Sequence, residues 1–133
     1  MNNKAVKVNN LKQLKPYDET MLYSCSISFL NETYGIVKNL EKYGRDCFGT
    51  PLIRKITGII HTYKIGYGSE EIKEKIELLE KITRTLDSVA TDLKVLRALK
   101  IISDKQYGAL IVKYGPIMTQ TVNFINSLKN KHN

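Results

Sequence analysis

A helical repeat of apolar side chains constrains the fold of this chain more than any other feature. The repeat is clearest in the third quarter of the 133 residues, where apolar residues follow one another at steps of three or four: Ile72, Ile76, Leu79, Ile82, Leu86, Val89, Leu93 and Leu96. These steps put the side chains on one face of an α-helix, whereas a half-buried strand alternates at every second residue. The stretch therefore predicts a long amphipathic helix that packs one face into a core.

Three further stretches carry the same period. The first places Tyr23, Ile27, Leu30, Tyr34, Val37 and Leu40 on one face, the second Leu52, Ile56, Ile59, Ile60 and Tyr63, and the last Tyr107, Leu110, Ile111, Tyr114, Ile117, Met118, Val122, Ile125 and Leu128. No stretch has the pattern of a strand. The sequence thus predicts an all-α fold: an antiparallel up-and-down four-helix bundle over residues 17–133, preceded by a basic N-terminal arm at 1–16.

Local signals predict where these helices begin and end. Thr50, which precedes a proline, is typical of an N-cap residue. The Gly-Tyr-Gly segment at 66–68 predicts a tight turn, since glycine adopts unusual backbone angles without strain. Ser103, followed three residues later by Gln106, predicts a capping box at the start of the last helix.

The chain is basic, with 21 Lys and Arg residues against 13 Asp and Glu and a formal net charge of +8 at pH 7. The excess lies in the N-terminal arm, in residues 51–69 and in the C-terminal stretch. Between 51 and 69, Arg54, Lys55 and Lys64 are not opposed by any acidic residue. This distribution favours an anionic partner, and charge that serves solubility alone is the alternative.

Residues that carry catalytic chemistry are sparse. The sequence lacks a Gly-x-Ser-x-Gly motif, a phosphate-binding glycine loop and a His-Glu-x-x-His motif. His61 is expected on an outer helix face, and Cys25 and Cys47 are expected to be reduced structural thiols. We therefore expect no enzyme activity, cofactor or metal site, with an unrecognised active site as the alternative. Without a signal peptide or a membrane-spanning run, we expect a cytoplasmic protein that does not contact membranes.

A second apolar face lies near the end of the third predicted helix. Val95, Leu99 and Ile102 step by four and three residues on the side opposite the core stripe. An isolated bundle has no use for such a face, which predicts a contact between subunits or with a partner protein. Cover by the N-terminal arm is the alternative. Arg97 flanks the core stripe, so we expect its guanidinium either beside a groove between helices or in contact with the helix dipole.

Segments in a fixed order resemble one superfamily of small helical bundles. They read Phe-Gly-Thr-Pro-Leu-Ile at 48–53, Gly-Tyr-Gly-Ser at 66–69 and Asp-Leu-Lys-Val-Leu-Arg-Ala-Leu-Lys at 92–100, leading into Ile-Ser-Asp-Lys-Gln-Tyr at 102–107. The superfamily contains the accessory variability determinant (Avd) proteins of diversity-generating retroelements and the proteins encoded in intervening sequences of bacterial large-subunit ribosomal RNA. The resemblance covers residues 17–129, and the last segment is more similar to the retroelement branch.

The resemblance to Avd proteins implies a homo-oligomeric ring, a pentamer, that binds a reverse transcriptase and template RNA and supports mutagenic reverse transcription. The family has basic residues where Arg97 and Lys100 stand. The full set of candidate residues for binding nucleic acid and reverse transcriptase is Arg54, Lys55, Lys64, Arg84, Lys94, Arg97 and Lys100, and the candidate oligomer interface is Val95, Leu99 and Ile102. A ribosomal RNA intervening-sequence-type protein, or an interaction module without a nucleic-acid role, is the alternative.

The residues also predict how nucleic acid binds. The chain has no tryptophan, and core positions are expected for Tyr23, Tyr34, Tyr63, Tyr107 and Tyr114. Little aromatic surface then remains for stacking on bases, so we expect mainly electrostatic binding that accepts RNA and DNA with little sequence preference. Because the third helix is longer than the second, we expect Arg84 near the start of the second helix, with Arg97 and Lys100 extending past it.

Overall fold

The computed structural model describes residues 20–132, and every regular element in this part of the chain is helical. The elements are α1 (Met21–Val37), α2 (Lys42–Gly44), a π-helical turn (Arg45–Gly49), α3 (Thr50–Gly68), α4 (Ile72–Ala98) and α5 (Asp104–His132). The predicted all-α class is confirmed. The predicted N-terminal arm at 1–16 lies outside the described residues, as do residues 17–19.

The core lies between the long helices. α3 packs against α4, α4 against α5, and α1 against both α3 and α5. The predicted stripe on α4 is confirmed from Leu79 to Leu96, where all six members are buried, while Ile72 and Ile76 are half-buried. Each fully buried aliphatic side chain contributes roughly 1.5–3 kcal/mol, so the stripe stabilises α4 far more than local helix propensity does. No described helix is both long enough and apolar enough to cross a membrane.

The buried face of α1 differs from the predicted one. Its buried residues are Ser26, Phe29, Thr33 and Val37, whereas Tyr34 is 56% exposed. Two of the buried side chains carry hydroxyls, and each donates a hydrogen bond to the carbonyl four residues earlier at 2.8 Å. Satisfied in this way, the hydroxyls are buried at little cost. Polar residues therefore occupy the core face, and an apolar pattern cannot detect them. In α5, Val122 is likewise exposed at a predicted core position.

The chain follows one helical path from Lys42 to Gly68. Thr50 has helical backbone angles (φ −63°, ψ −44°), and its N–H bonds to the carbonyl of Arg45, so the predicted N-cap at Thr50 is wrong. Gly49, within the π-helical turn, lies against α1: a Cβ at this position would stand 2.6 Å from Cγ1 of Val37. The close approach of the two helices therefore requires glycine here.

The connections before and after α4 differ in how the neighbouring helix ends are formed. Residues 66–68 remain helical, and no described glycine has a positive φ, so the predicted glycine turn is wrong. The chain leaves α3 through extended backbone at Ser69 (φ −71°, ψ 139°) instead. The capping box of α5 is confirmed: the N–H of Gln106 donates to Ser103 Oγ at 3.0 Å, and the N–H of Ser103 donates to Gln106 Oε1 at 2.9 Å.

Candidate nucleic-acid interface

α3 is a helix without acidic residues, and two of its cations are exposed. Arg54 and Lys64 point to the surface and form no ion pair with another described residue; the ion pairs in the described part of the chain are Arg45–Asp46, Lys55–Asp92 and Arg97–Asp104. Lys55 lies between α3 and α4, where its Nζ donates to Asp92 Oδ2 at 2.7 Å and to Ser88 Oγ at 2.8 Å. The charge of Lys55 is therefore offset, while Arg54 and Lys64 are open to an anion.

The register of α3 against α4 decides where Arg84 lies. Lys55, near the start of α3, contacts Asp92, while a Cβ on Gly66, near its end, would stand 3.5 Å from Cβ of Leu78. The two helices are thus antiparallel, and Arg84 lies beside the middle of α3. The expectation that Arg84 lies near the start of α3 is wrong, because the short connection between the helices already sets Leu78 beside the end of α3. Arg84 is exposed and, like Lys94 further along α4, forms no ion pair with a described residue.

Arg97 bridges the end of α4 and the start of α5. Its Nε donates to Asp104 Oδ1 at 3.0 Å, and its guanidinium lies 4.7 Å from the centroid of the Tyr107 ring. About half of the side chain is exposed (50%), and that of Asp104 is 86% exposed. The pair is therefore well hydrated and contributes modestly to stability. Arg97 retains further N–H groups for an anion, since a guanidinium carries five donors.

Lys100 occupies a left-handed backbone position. Its φ is 61°, the only positive φ of a non-glycine residue in the described chain. The N–H of Lys100 bonds to the carbonyl of Arg97 at 3.0 Å, and the N–H of Ile101 bonds to the carbonyl of Leu96 at 2.9 Å. These two bonds define a Schellman motif, which ends α4 at Ala98 with lysine where glycine is usual. Lys100 is therefore in the turn after α4, not in the helix as expected.

The expected apolar face at the end of α4 is only partly exposed. Val95 and Leu99 are 39% and 56% exposed, but Ile102 is 3% exposed and belongs to the core. The expectation that Ile102 lies on this face is wrong, because the left-handed turn at Lys100 directs the chain back toward the core. We call Val95 and Leu99 the apolar strip.

A groove of about 760 Å³ opens beside the apolar strip, where α4 ends. Its apolar lining comes from Ile36, Leu40, Tyr43, Phe48, Leu99 and Ile101, and its polar lining from Asn39, Glu41, Lys100 and Gln106. Tyr43 is 76% exposed. Sequence reasoning missed Tyr43 and Phe48, because residues 42–49 are too short to show an apolar period of their own. The apolar strip thus continues at Leu99 into a groove with both apolar and polar lining.

Exposed cations are distributed over α3, α4 and the turn after α4 rather than gathered in a pocket. Such an arrangement suits an extended polyanion, whose phosphates interact with many separate charges. Within residues 20–132, no three His, Cys, Asp or Glu side chains are placed to hold a metal ion. No protein-family model matches the chain, and no curated protein sequence matches it.

Proposed function

We propose that this chain is a non-enzymatic nucleic-acid-binding accessory protein of a diversity-generating retroelement, in which it binds template RNA and a reverse transcriptase to support mutagenic reverse transcription. The observation that carries the nucleic-acid part is that five of the seven candidate binding residues are exposed without an acidic partner among the described residues: Arg54, Lys64, Arg84, Lys94 and Lys100. The reverse transcriptase and the retroelement rest on the resemblance to Avd proteins.

Binding in this proposal works through phosphate neutralisation. Arg54 and Arg84 offer planar guanidinium groups that grip two phosphate oxygens at once, and Lys64 and Lys94 add point charges. α3 contains no acidic residue that would repel the phosphates. Since these cations are exposed on the helix surfaces, affinity depends on the number of phosphates contacted rather than on base identity, and RNA and DNA are both accepted.

The proposal includes an assembly. The four long helices form an antiparallel up-and-down four-helix bundle, and copies associate as a ring, a pentamer, through the apolar strip of Val95 and Leu99. The exposure of these two side chains supports this contact, because apolar groups at a helix end gain stability when a neighbouring subunit covers them. A ring also repeats the cations of each copy and so raises the local positive potential.

The experiment that tests nucleic-acid binding is a salt titration with a mixed-sequence RNA. Affinity is expected to fall by about 10³- to 10⁵-fold between about 50 and 200 mM salt if six or more phosphates are contacted. Arg54→Gln with Lys64→Gln is expected to flatten this slope, whereas Lys129→Gln with Lys131→Gln removes the same charge from the end of α5 as a matched control. A flat profile for the unaltered protein, or equal losses in both double variants, contradicts the proposed surface.

Reverse-transcriptase docking has its own test. Arg97→Ala with Lys100→Ala is expected to weaken capture of a retroelement reverse transcriptase and to weaken RNA binding, with helical content preserved. Arg97 makes one exposed ion pair and Lys100 none, so the double variant is expected to fold. Unchanged RNA binding and docking in this variant would show that Arg97 and Lys100 are not the binding surface, and the N-terminal arm would become the leading candidate.

A further inference from the structure

The groove between α1 and α3 points to a second mode of contact with nucleic acid. We propose that this groove holds an unpaired base of a single strand, stacked on the ring of Tyr34. The inference rests on the proposed function and deepens it, because it predicts that single strands are bound more tightly than duplexes. It adds base stacking to the mainly electrostatic binding expected from the sequence.

The shape of the groove fits a flat apolar group. It encloses about 310 Å³ between the two helices, with Ile27, Leu30, Asn31 and Tyr34 on the α1 side and Ile53 and Thr57 on the α3 side. Tyr34 is 56% exposed, so part of its ring is open to a ligand, while Nζ of Lys38 lies over the ring. Aromatic side chains of this kind bind bases of any identity, because every base has a π-face.

The charge around the groove is that of a phosphate-binding surface. Nζ of Lys38 lies 5.8 Å from the centroid of the Tyr34 ring, and the exposed Arg54 directly follows Ile53 in α3. Glu32 is the only acidic residue in α1 and α3, and it lines a different groove, where Lys113 also lies. A strand whose base stacks on Tyr34 thus meets Lys38 at the ring, and the exposed Arg54 lies one residue beyond the groove residue Ile53 in α3.

A single strand fits this site better than a duplex or an apolar peptide. In a duplex the base faces are covered by their neighbours, so a lone surface ring cannot reach them without unstacking. An apolar peptide would gain little from the flanking cations, whose charge must be neutralised when they are covered. Asn31 adds a side-chain amide that both donates and accepts hydrogen bonds, which suits the polar edge of a base.

The test compares a single-stranded oligonucleotide of about 12 nucleotides with a duplex of the same length, measured by fluorescence anisotropy at fixed salt. Tyr34→Ala is expected to weaken single-strand binding by roughly 5- to 150-fold, the range of one base stacked on an aromatic ring, and to leave duplex binding unchanged within about twofold. Tyr34→Phe keeps the ring and is expected to bind as the unaltered protein does. Val112→Ala removes an exposed apolar side chain of α5, outside this groove, and is the control.

Four outcomes overturn the inference. Equal losses for single strand and duplex, or no loss in Tyr34→Ala, show that the ring does not stack on a base. A change in oligomer mass in Tyr34→Ala, measured by light scattering, assigns the groove to a contact between copies. If Tyr34→Ala binds normally while Arg54→Gln with Lys64→Gln does not, the proposed function stands without the stacking site. If the unaltered protein binds neither strand form, both proposals fail.

Discussion

Asp92 holds Lys55 across the contact between α3 and α4, with Oδ2 accepting a hydrogen bond from Nζ at 2.7 Å. Both side chains are about one-third exposed, at 38% for Lys55 and 35% for Asp92, so water screens the pair and its net contribution to folding is small. The ion pair has a larger effect on surface charge. Asp92, in α4, neutralises a lysine of α3, a helix that has no acidic residue of its own. One acidic side chain therefore limits how positive this surface is.

Asp92→Asn is expected to change stability and nucleic-acid binding in opposite directions. The free energy of unfolding should fall by about 1 kcal/mol or less, since a screened ion pair is lost. Affinity for RNA should rise, because Lys55 becomes available to phosphate. Denaturant melts and anisotropy at low salt measure the two effects. Glu77→Gln removes the same charge from an exposed position of α4; an equal gain in affinity in both variants would refute a specific role for Asp92.

Gly49→Ala is expected to destabilise the protein, although it raises helix propensity. The added Cβ would stand 2.6 Å from Cγ1 of the buried Val37, and a β-branched side chain cannot rotate away easily. Overpacking of this kind costs about 1–3 kcal/mol. Gly58→Ala is the matched control: no atom lies within 4 Å of its added Cβ, so it should stabilise α3 by about 0.5–1 kcal/mol. Thermal melts that rank the two variants in the reverse order would contradict the close approach of α1 to Gly49.

Lys100→Gly is expected to stabilise the fold and to weaken RNA binding. Glycine removes the cost of the left-handed backbone at φ 61°, which is about 1 kcal/mol for an L-residue. Lys100→Ala loses the same charge but keeps a Cβ, so its unfolding free energy should stay near that of the unaltered protein. Chemical denaturation separates the two variants. Equal stability would mean that the turn after α4 does not strain Lys100.

The raised pKa of Tyr114 predicts that the protein loses stability in alkaline solution. Its hydroxyl donates to the carbonyl of Leu86 at 2.8 Å, and burial, followed by the negative charge of Asp87, raises its pKa from 10.0 to about 12. A raised pKa in the folded state means that the neutral hydroxyl stabilises the fold fully below pH 10, and that this contribution is lost as the pH rises to about 12.

Tyr114→Phe provides the control for this titration. It should cost about 1 kcal/mol at neutral pH, where one hydrogen bond is lost, and should show a shallower decline of stability above pH 10 than the unaltered protein. Denaturant melts at several alkaline pH values measure the difference. Parallel declines in the two proteins would assign the alkaline loss to other groups.

Substitutions at Leu99 and Ile102 should distinguish an effect on oligomer assembly from an effect on folding. Leu99→Glu places a charge on the exposed apolar strip and is expected to reduce the oligomer to a monomer with normal helical content. Ile102→Ala instead creates a cavity in the core, with an expected cost of about 2–5 kcal/mol, and should leave the mass unchanged where the protein remains folded. Light scattering with circular dichroism checks both. An unaltered protein that is monomeric at micromolar concentration would end the ring proposal.

The sequence predicts a set of candidate residues but not how they are arranged. Charge counting along the chain identified α3 as acid-free, and the structure leaves Arg54 and Lys64 exposed there. Charge counting could not show that Asp92 forms an ion pair with Lys55 or that Arg97 forms one with Asp104, since each pair joins two helices. The exposure of Tyr34 was also hidden, because Ser26 and Thr33 occupy the core face of α1 with their hydroxyls bonded to the helix backbone.

The sequence by itself determined the four long helices and the continuous stripe that α4 buries from Leu79 to Leu96. Both follow from a period of three to four residues, which depends only on helix geometry and holds wherever the helix lies. The capping box of Ser103 and Gln106 was equally local. Tertiary structure alone decided the burial of Ile102 and the position of Arg84 beside the middle of α3. These depend on the left-handed turn at Lys100 and on the register between packed helices, and neither quantity is contained in the spacing of residues within one helix.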